Sequence, residues 1–138
     1  MSKFVISAIA SAAILICVII AFHSMDNVKN AKIIDYIESS GWAIEQSSIE
    51  ISHLTIPREF DAIFQNYNAY QKEAGFDLTS FKGARATRYS YRILNHRYSG
   101  ITTVRANVLV VNDEIIAADI SSTEFMHAIT NTTFHKEF

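Results

Sequence analysis

From Phe4 to Phe22 the chain carries no charged residue, and only Ser7, Ser11 and Cys17 bring any polarity to it. As a helix, this run at ~1.5 Å per residue is roughly 28 Å long, close to the ~30 Å hydrocarbon core of a bilayer. The core helix of a small soluble domain would show a polar face. This run shows none, and a helix apolar on every side needs lipid or a large protein around it. The pattern predicts a single membrane span, with residues 1–25 as an uncleaved anchor and 26–138 as one outer domain. Two rivals fit poorly. A signal peptide ending at Ala21 would put Ile19 at its third-last place, where a small residue is wanted. Lipoprotein processing at Cys17 would be preceded by Ile14, Leu15 and Ile16, where small residues are again wanted. The very short N-terminus, with Lys3 beside the α-amine, suggests N-terminus inside and domain outside.

Beyond the span, Val28, Ala31, Ile34 and Ile37 recur at helical spacing and Gly41 stops them, so this helix could continue the span through Asp26 and Asn27. Ile49 and Ile51 alternate with polar neighbours, then Leu54 and Ile56 do so in the other phase. The slip at Ser52–His53 reads as a bulge or a break between two short strands. Pro57 suits the first position of a helix, with Glu59 and Asp61 in its first turn. Phe60, Ile63, Phe64, Tyr67 and Ala74 then follow at helical steps to Gly75, an aromatic stripe that reads as core rather than as a ligand platform.

From Ala84 the period becomes two. Thr87, Tyr89, Tyr91 and Ile93 share one face, and Arg88, Ser90 and Arg92 the other. A turn over Asn95–Gly100 leads to Val104, Ala106, Val108 and Val110. A tight break at Asn112–Glu114 then leads to Ile116, Ala118 and Ile120. Short connections favour sequential antiparallel pairing. The expected class is therefore α+β: a membrane helix, then a small antiparallel sheet of about four strands against one amphipathic helix. The tail from Thr123, with Phe125, Met126 and Ile129, suggests a further short helix.

At 138 residues, 49% of them hydrophobic, the chain has one modest core and is not disordered. A net charge of −2 predicts no nucleic-acid partner. The single cysteine, Cys17, excludes an internal disulfide and any zinc site built on several thiolates.

A set of short motifs runs through the outer domain. It comprises Gly41-Trp42, Ile56-Pro57, Glu59-Phe60-Asp61, Tyr67-Asn68, Gln71-Lys72, Gly75-Phe76-Asp77-Leu78, Lys82-Gly83, Arg88-Tyr89, Tyr91, Val104-Arg105-Ala106 and Met126-His127. Together these resemble the domain-of-unknown-function 4830 family, short proteins of Gram-positive bacteria. The resemblance implies a bacterial, membrane-anchored setting and supplies no catalytic residues. Such relatives often carry two glycines before the aspartate of the last strand and one after the Met-His pair. Here those places hold Ala117, Ala118 and Ala128, which argues against positive φ there.

Charge is segregated. No acid lies between Leu78 and Asn112, where Lys82, Arg85, Arg88, Arg92, Arg97 and Arg105 all fall. If the outward strand faces align, Lys82, Arg85, Arg88, Arg92 and Arg105 make a basic surface for anionic lipid headgroups, wall polymer or an envelope protein. The plainer reading is that Glu45, Glu50, Glu59 and Asp61 neutralise it as solvated pairs.

Catalytic signals are sparse. The five histidines show no metalloprotease spacing, no serine sits in a nucleophile elbow, and no phosphate loop is present. Neither a metal nor a cofactor is called for. The candidates worth following are His127 and Asp119, with Tyr91 beside them, as a small envelope hydrolase or ligand sensor. The leading expectation is a non-enzymatic binding or scaffolding domain on a single-pass bacterial membrane anchor.

Overall fold

The computed structural model describes residues 2–129, and the side chains among them from Ser11 to Met126 and at Ile129. The chain divides into two compact units, Met1–Lys32 and Ile33–Phe138. Helix α1, Ser2–Ser39, is continuous through Asp26 and Asn27, so the division falls within it. In the first unit, Ile14, Leu15, Ile16, Ile20 and Phe22 are all exposed. One N-terminal helix, Ser11–Ser39 in its described part, is long and apolar enough to cross a membrane, and its most apolar stretch is not buried at all. The helix ends in a Schellman motif. Gly41, at φ 90°, gives its N–H to the Glu38 carbonyl, and the Trp42 N–H reaches that of Ile37.

The second unit is α+β, as its alternating patterns predict. Strands β1 (Ile44–Thr55), β2 (Arg85–Ile93), β3 (Arg105–Val111), β4 (Glu114–Ser121) and β5 (Met126–Ala128) form one antiparallel sheet in sequence order. Helix α2, Ala62–Glu73, and a 3-10 turn, Leu78–Phe81, lie between β1 and β2 in the chain. The fifth strand falls where the tail suggested a helix. Its three residues pair with β4, and Ile129 then donates to the Ala118 carbonyl and is fully buried. The rest of the tail lies outside the described residues.

Both faces of the sheet carry core, and this accounts for the mixed phases of the sequence. One cluster gathers Ile33 and Ile37 of α1 with Tyr91, Ile93, Ala106, Val108, Ala118 and Ile120. The other gathers Ile56, Leu78, Ala86, Leu109, Val111, Ile116 and Ala117, with Phe60, Phe64 and Tyr67 packed on it. The phase change in β1 is thus a change of face served rather than a bulge. Ile49 packs on the first cluster and Leu54 on the second, while Ser52 and His53 pair regularly with Arg88 and Thr87. The irregularity of β1 lies instead between Glu45 and Glu50.

A bulge does occur in β4. Leu109 pairs with Ala117 but Val110 with Ile115, which leaves Ile116 as the extra residue. Ile116 therefore turns into the second cluster, away from Ala118 and Ile120, with which simple alternation groups it. Ala117 and Ala118 are both fully buried, and neither has positive φ. Val111 pairs with Glu114 across Asn112 (φ 49°) and Asp113 (φ 65°), a two-residue primed hairpin turn.

Helix α2 starts later than Pro57 suggests. Asp61 is its N-cap, accepting the Phe64 N–H at 2.8 Å, so Pro57 and Glu59 precede the helix. Its buried residues are Asn68 and Gln71, whereas Ile63 is 79% exposed. The amides are buried because they complete backbone hydrogen bonding elsewhere. Asn68 Oδ1 accepts from the Leu78 N–H at 2.8 Å, and Gln71 Oε1 from the Ala118 N–H at 3.0 Å.

Candidate functional site

The strand pairing sets Glu50, Ser90, Asn107 and Asp119 in one row across β1 to β4, and Glu45, Arg92, Arg105, Ser121 and Met126 in the next. Pairs opposite one another share a face. The polar positions of four strands therefore collect on the α2 side of the sheet, beyond its apolar cluster.

At the centre lies Asn107, which is buried. Its Oδ1 accepts from Arg88 Nη2 at 2.9 Å and from Ser90 Oγ at 2.8 Å. Its Nδ2 donates to Asp119 Oδ1 and to Ser121 Oγ, each at 2.8 Å. The Tyr67 hydroxyl comes down from α2 and donates to Asp119 Oδ2 at 3.0 Å. Asp119 is only 5% exposed, and burial raises its pKa above the ordinary aspartate range. The hydrogen bonds from Asn107 and Tyr67 and the nearby charge of Arg88 act in the opposite direction. Tyr67 is likewise raised, by burial first and then by the Asp119 charge.

The basic residues divide into two groups. Arg105 is woven into the sheet: it donates to Ser90 Oγ (2.7 Å) and to the carbonyls of Ser48 and Ser90 (3.0 Å each), and pairs with Glu50 at 3.0 Å. Arg92 donates Nε to Glu45 Oε2 at 2.7 Å, and its Nη2 pairs with the same oxygen. Glu45 and Glu50 thus partner these two arginines, whereas Asp61 serves α2. Lys82, Arg85 and Arg88 are exposed. Lys82 Nζ sits 4.7 Å over the Phe60 ring, and Arg88 bonds to Asn107. A Cβ at Gly83 would stand 3.4 Å from Cγ of Arg58, so a further cation flanks the same turn.

The register pairs His127 with Ile120 and Asp119 with Ala128, so the two candidates sit at successive rather than shared positions. Tyr91 belongs to the other face, fully buried in the first cluster, and burial pushes its hydroxyl up to about 12. Among the described residues, no three His, Cys, Asp or Glu side chains come together as a metal ion would require. Tyr67, Asn107, Ser90 and Ser121 are the members of this site that the sequence did not single out. The available signal was a polar residue recurring at one face of three successive strands.

Compared with known protein families, the chain matches a model described as a domain of unknown function, DUF4830, over residues 36–120. The chain belongs to the DUF4830 family. The matched stretch of the DUF4830 domain runs from the end of α1 to Ile120 in β4, so it takes in Lys82, Arg85, Arg88, Arg92, Arg105, Tyr67 and Asp119. His127 lies beyond it. No curated protein and no solved structure gives a significant match.

Proposed function

We propose that this DUF4830 protein is a non-enzymatic binding domain, held at the outer face of a bacterial membrane by its uncleaved N-terminal helix, that engages anionic partners through Lys82, Arg85 and Arg88. The observation that carries this reading is the division among the basic residues. Glu45 and Glu50 are taken up by Arg92 and Arg105, while Lys82, Arg85 and Arg88 stay exposed in a stretch without acids, Arg88 on the α2 side of the sheet and Arg85 on the opposite face of β2. Each basic residue near an anionic surface adds on the order of 1 kcal/mol, so three would reinforce a tether. The hydrolase alternative has less support, since Asp119 is enclosed by Tyr67, Asn107 and Ser121, and His127 stands across from Ile120.

The test uses the full chain in neutral phosphatidylcholine nanodiscs, passed at low salt over phosphocellulose and over plain cellulose. The reading predicts salt-reversible retention on phosphocellulose alone, lost in the triple variant Lys82→Gln/Arg85→Gln/Arg88→Gln. A protein of net charge −2 has no bulk reason to be retained. Free passage of the wild type, or unaltered retention of the variant, would sink it.

A further inference from the structure

A groove of about 360 Å³ lies beside α2, lined by Phe60, Gln65, Asn68, Lys72, Thr79 and Lys82 among others. It is separate from the Asn107–Asp119 network and falls within the size range of small-molecule sites. Its walls are tied together by Asn68 and Asp77. Asn68 Oδ1 accepts the Leu78 N–H, and its Nδ2 donates to Asp77 Oδ1 at 3.2 Å. The same Asp77 oxygen accepts from the Thr79 N–H at 3.0 Å and from Thr79 Oγ1 at 2.6 Å. These bonds fix α2 against the turn that follows it, so the groove is preformed.

Its lining has a definite chemistry. Two ammonium groups, Lys72 and Lys82, line it, and its lining residues include no carboxylate. Asp77 Oδ1 is already engaged three times, and its Oδ2 lies 3.4 Å from Lys72 Nζ. An ammonium carries three donors, so Lys72 keeps donors beyond that contact. Gln65 gives Nε2 to the Phe60 carbonyl at 2.9 Å, which leaves Oε1 to accept a hydroxyl. The aromatic wall, Phe60, already carries Lys82 over its ring and packs against the Phe64 ring, which disfavours stacking of a nucleobase there. It also lacks the continuous apolar lining that an acyl chain would need.

From this lining we infer that the groove binds a phosphorylated saccharide, with the phosphate between Lys72 and Lys82 and ring hydroxyls on Gln65 and Thr79. Lysine acts as a point-charge phosphate binder, and amide and hydroxyl groups match sugar hydroxyls. The inference rests on the anion-binding reading above and names one ligand class for it.

The test is ligand-observed NMR on the full chain in neutral nanodiscs, with glucose 6-phosphate as probe. Saturation transfer to its sugar protons is expected, with affinity about tenfold weaker in Lys72→Gln and in Gln65→Glu. Neither substitution touches Arg85 or Arg88. Gln65→Glu sets a carboxylate at an exposed position, so an unchanged thermal unfolding curve separates repulsion from misfolding. Glucose at the same concentration should displace the probe only weakly. No transfer with the wild type, or wild-type affinity in both variants, would overturn the groove while phosphocellulose retention through Arg85 and Arg88 still stood. Full displacement by an equal concentration of inorganic phosphate would overturn the saccharide assignment. Loss of both nanodisc retention and probe binding would overturn the anion-binding reading itself.

Discussion

The hydroxyl of Tyr67 on α2 donates to Oδ2 of Asp119 on β4 at 3.0 Å, which fastens the helix to a carboxylate that the sheet itself buries. Beside it, Gln71 accepts the Ala118 N–H. Helix α2 is therefore seated by polar contacts as well as by Phe60 and Phe64. Tyr67→Phe removes a donor from a buried charged acceptor and should cost about 1–3 kcal/mol in denaturant unfolding. An unchanged midpoint would mean that water replaces the hydroxyl without loss.

The buried carboxyl also sets a pH dependence. The folded-state pKa of Asp119 is raised above its unfolded value, so between the two the native state binds the extra proton. Stability from this group is greatest below the ordinary aspartate value of about 3.9 and is lost as pH rises through the raised one. Asp77 runs the other way: its pKa is lowered by its hydrogen bonds to Thr79 and Asn68, and its contribution is lost as pH falls below the ordinary range. Asp119→Asn should therefore flatten the decline towards neutral pH and leave the acid limb in place. Thermal unfolding of both proteins from pH 2 to 7 checks it.

Basic residues of similar appearance in the sequence should behave differently. Arg105→Gln breaks bonds to Ser90 and to the Ser48 carbonyl and should cost about 1–3 kcal/mol. Lys82→Gln loses only the contact over Phe60, worth about 0.5–1 kcal/mol, but should weaken binding to phosphocellulose. Equal destabilisation by the two would remove the division on which the proposed function rests.

The glycine ending α2 provides a backbone test. Gly75, at φ 88°, donates to the Lys72 carbonyl, and Phe76 to that of Gln71, a second Schellman motif. A Cβ there would meet nothing within 4 Å, so Gly75→Ala carries backbone strain alone, about 1–2 kcal/mol. A larger loss by thermal unfolding would mean that the turn after α2 also moves.

Elements whose residues repeat for one reason were readable from sequence. The apolar run of α1, the alternation of β2 and β3 and the stops at Gly41 and Gly75 each follow from local chemistry. Elements shaped by the second core were not. Leu54 and Ile56 look out of phase until the other face of the sheet is known, and Ile116 looks in phase until the β4 bulge is placed. Asn68 and Gln71 look solvent-facing because sequence does not reveal which backbone groups need them. The site was half legible: the acid-free stretch marked the basic residues, but only strand register separates Arg92 and Arg105, with their glutamates, from Lys82, Arg85 and Arg88.

External protease on intact cells carrying a tag after Phe138 tests whether the domain is held outside the membrane on an uncleaved helix. The expected result is a full-length tagged chain in the membrane fraction and loss of the tag on protease treatment. Protection of the tag until the membrane is opened, or a shortened tagged chain released into the medium, would contradict it.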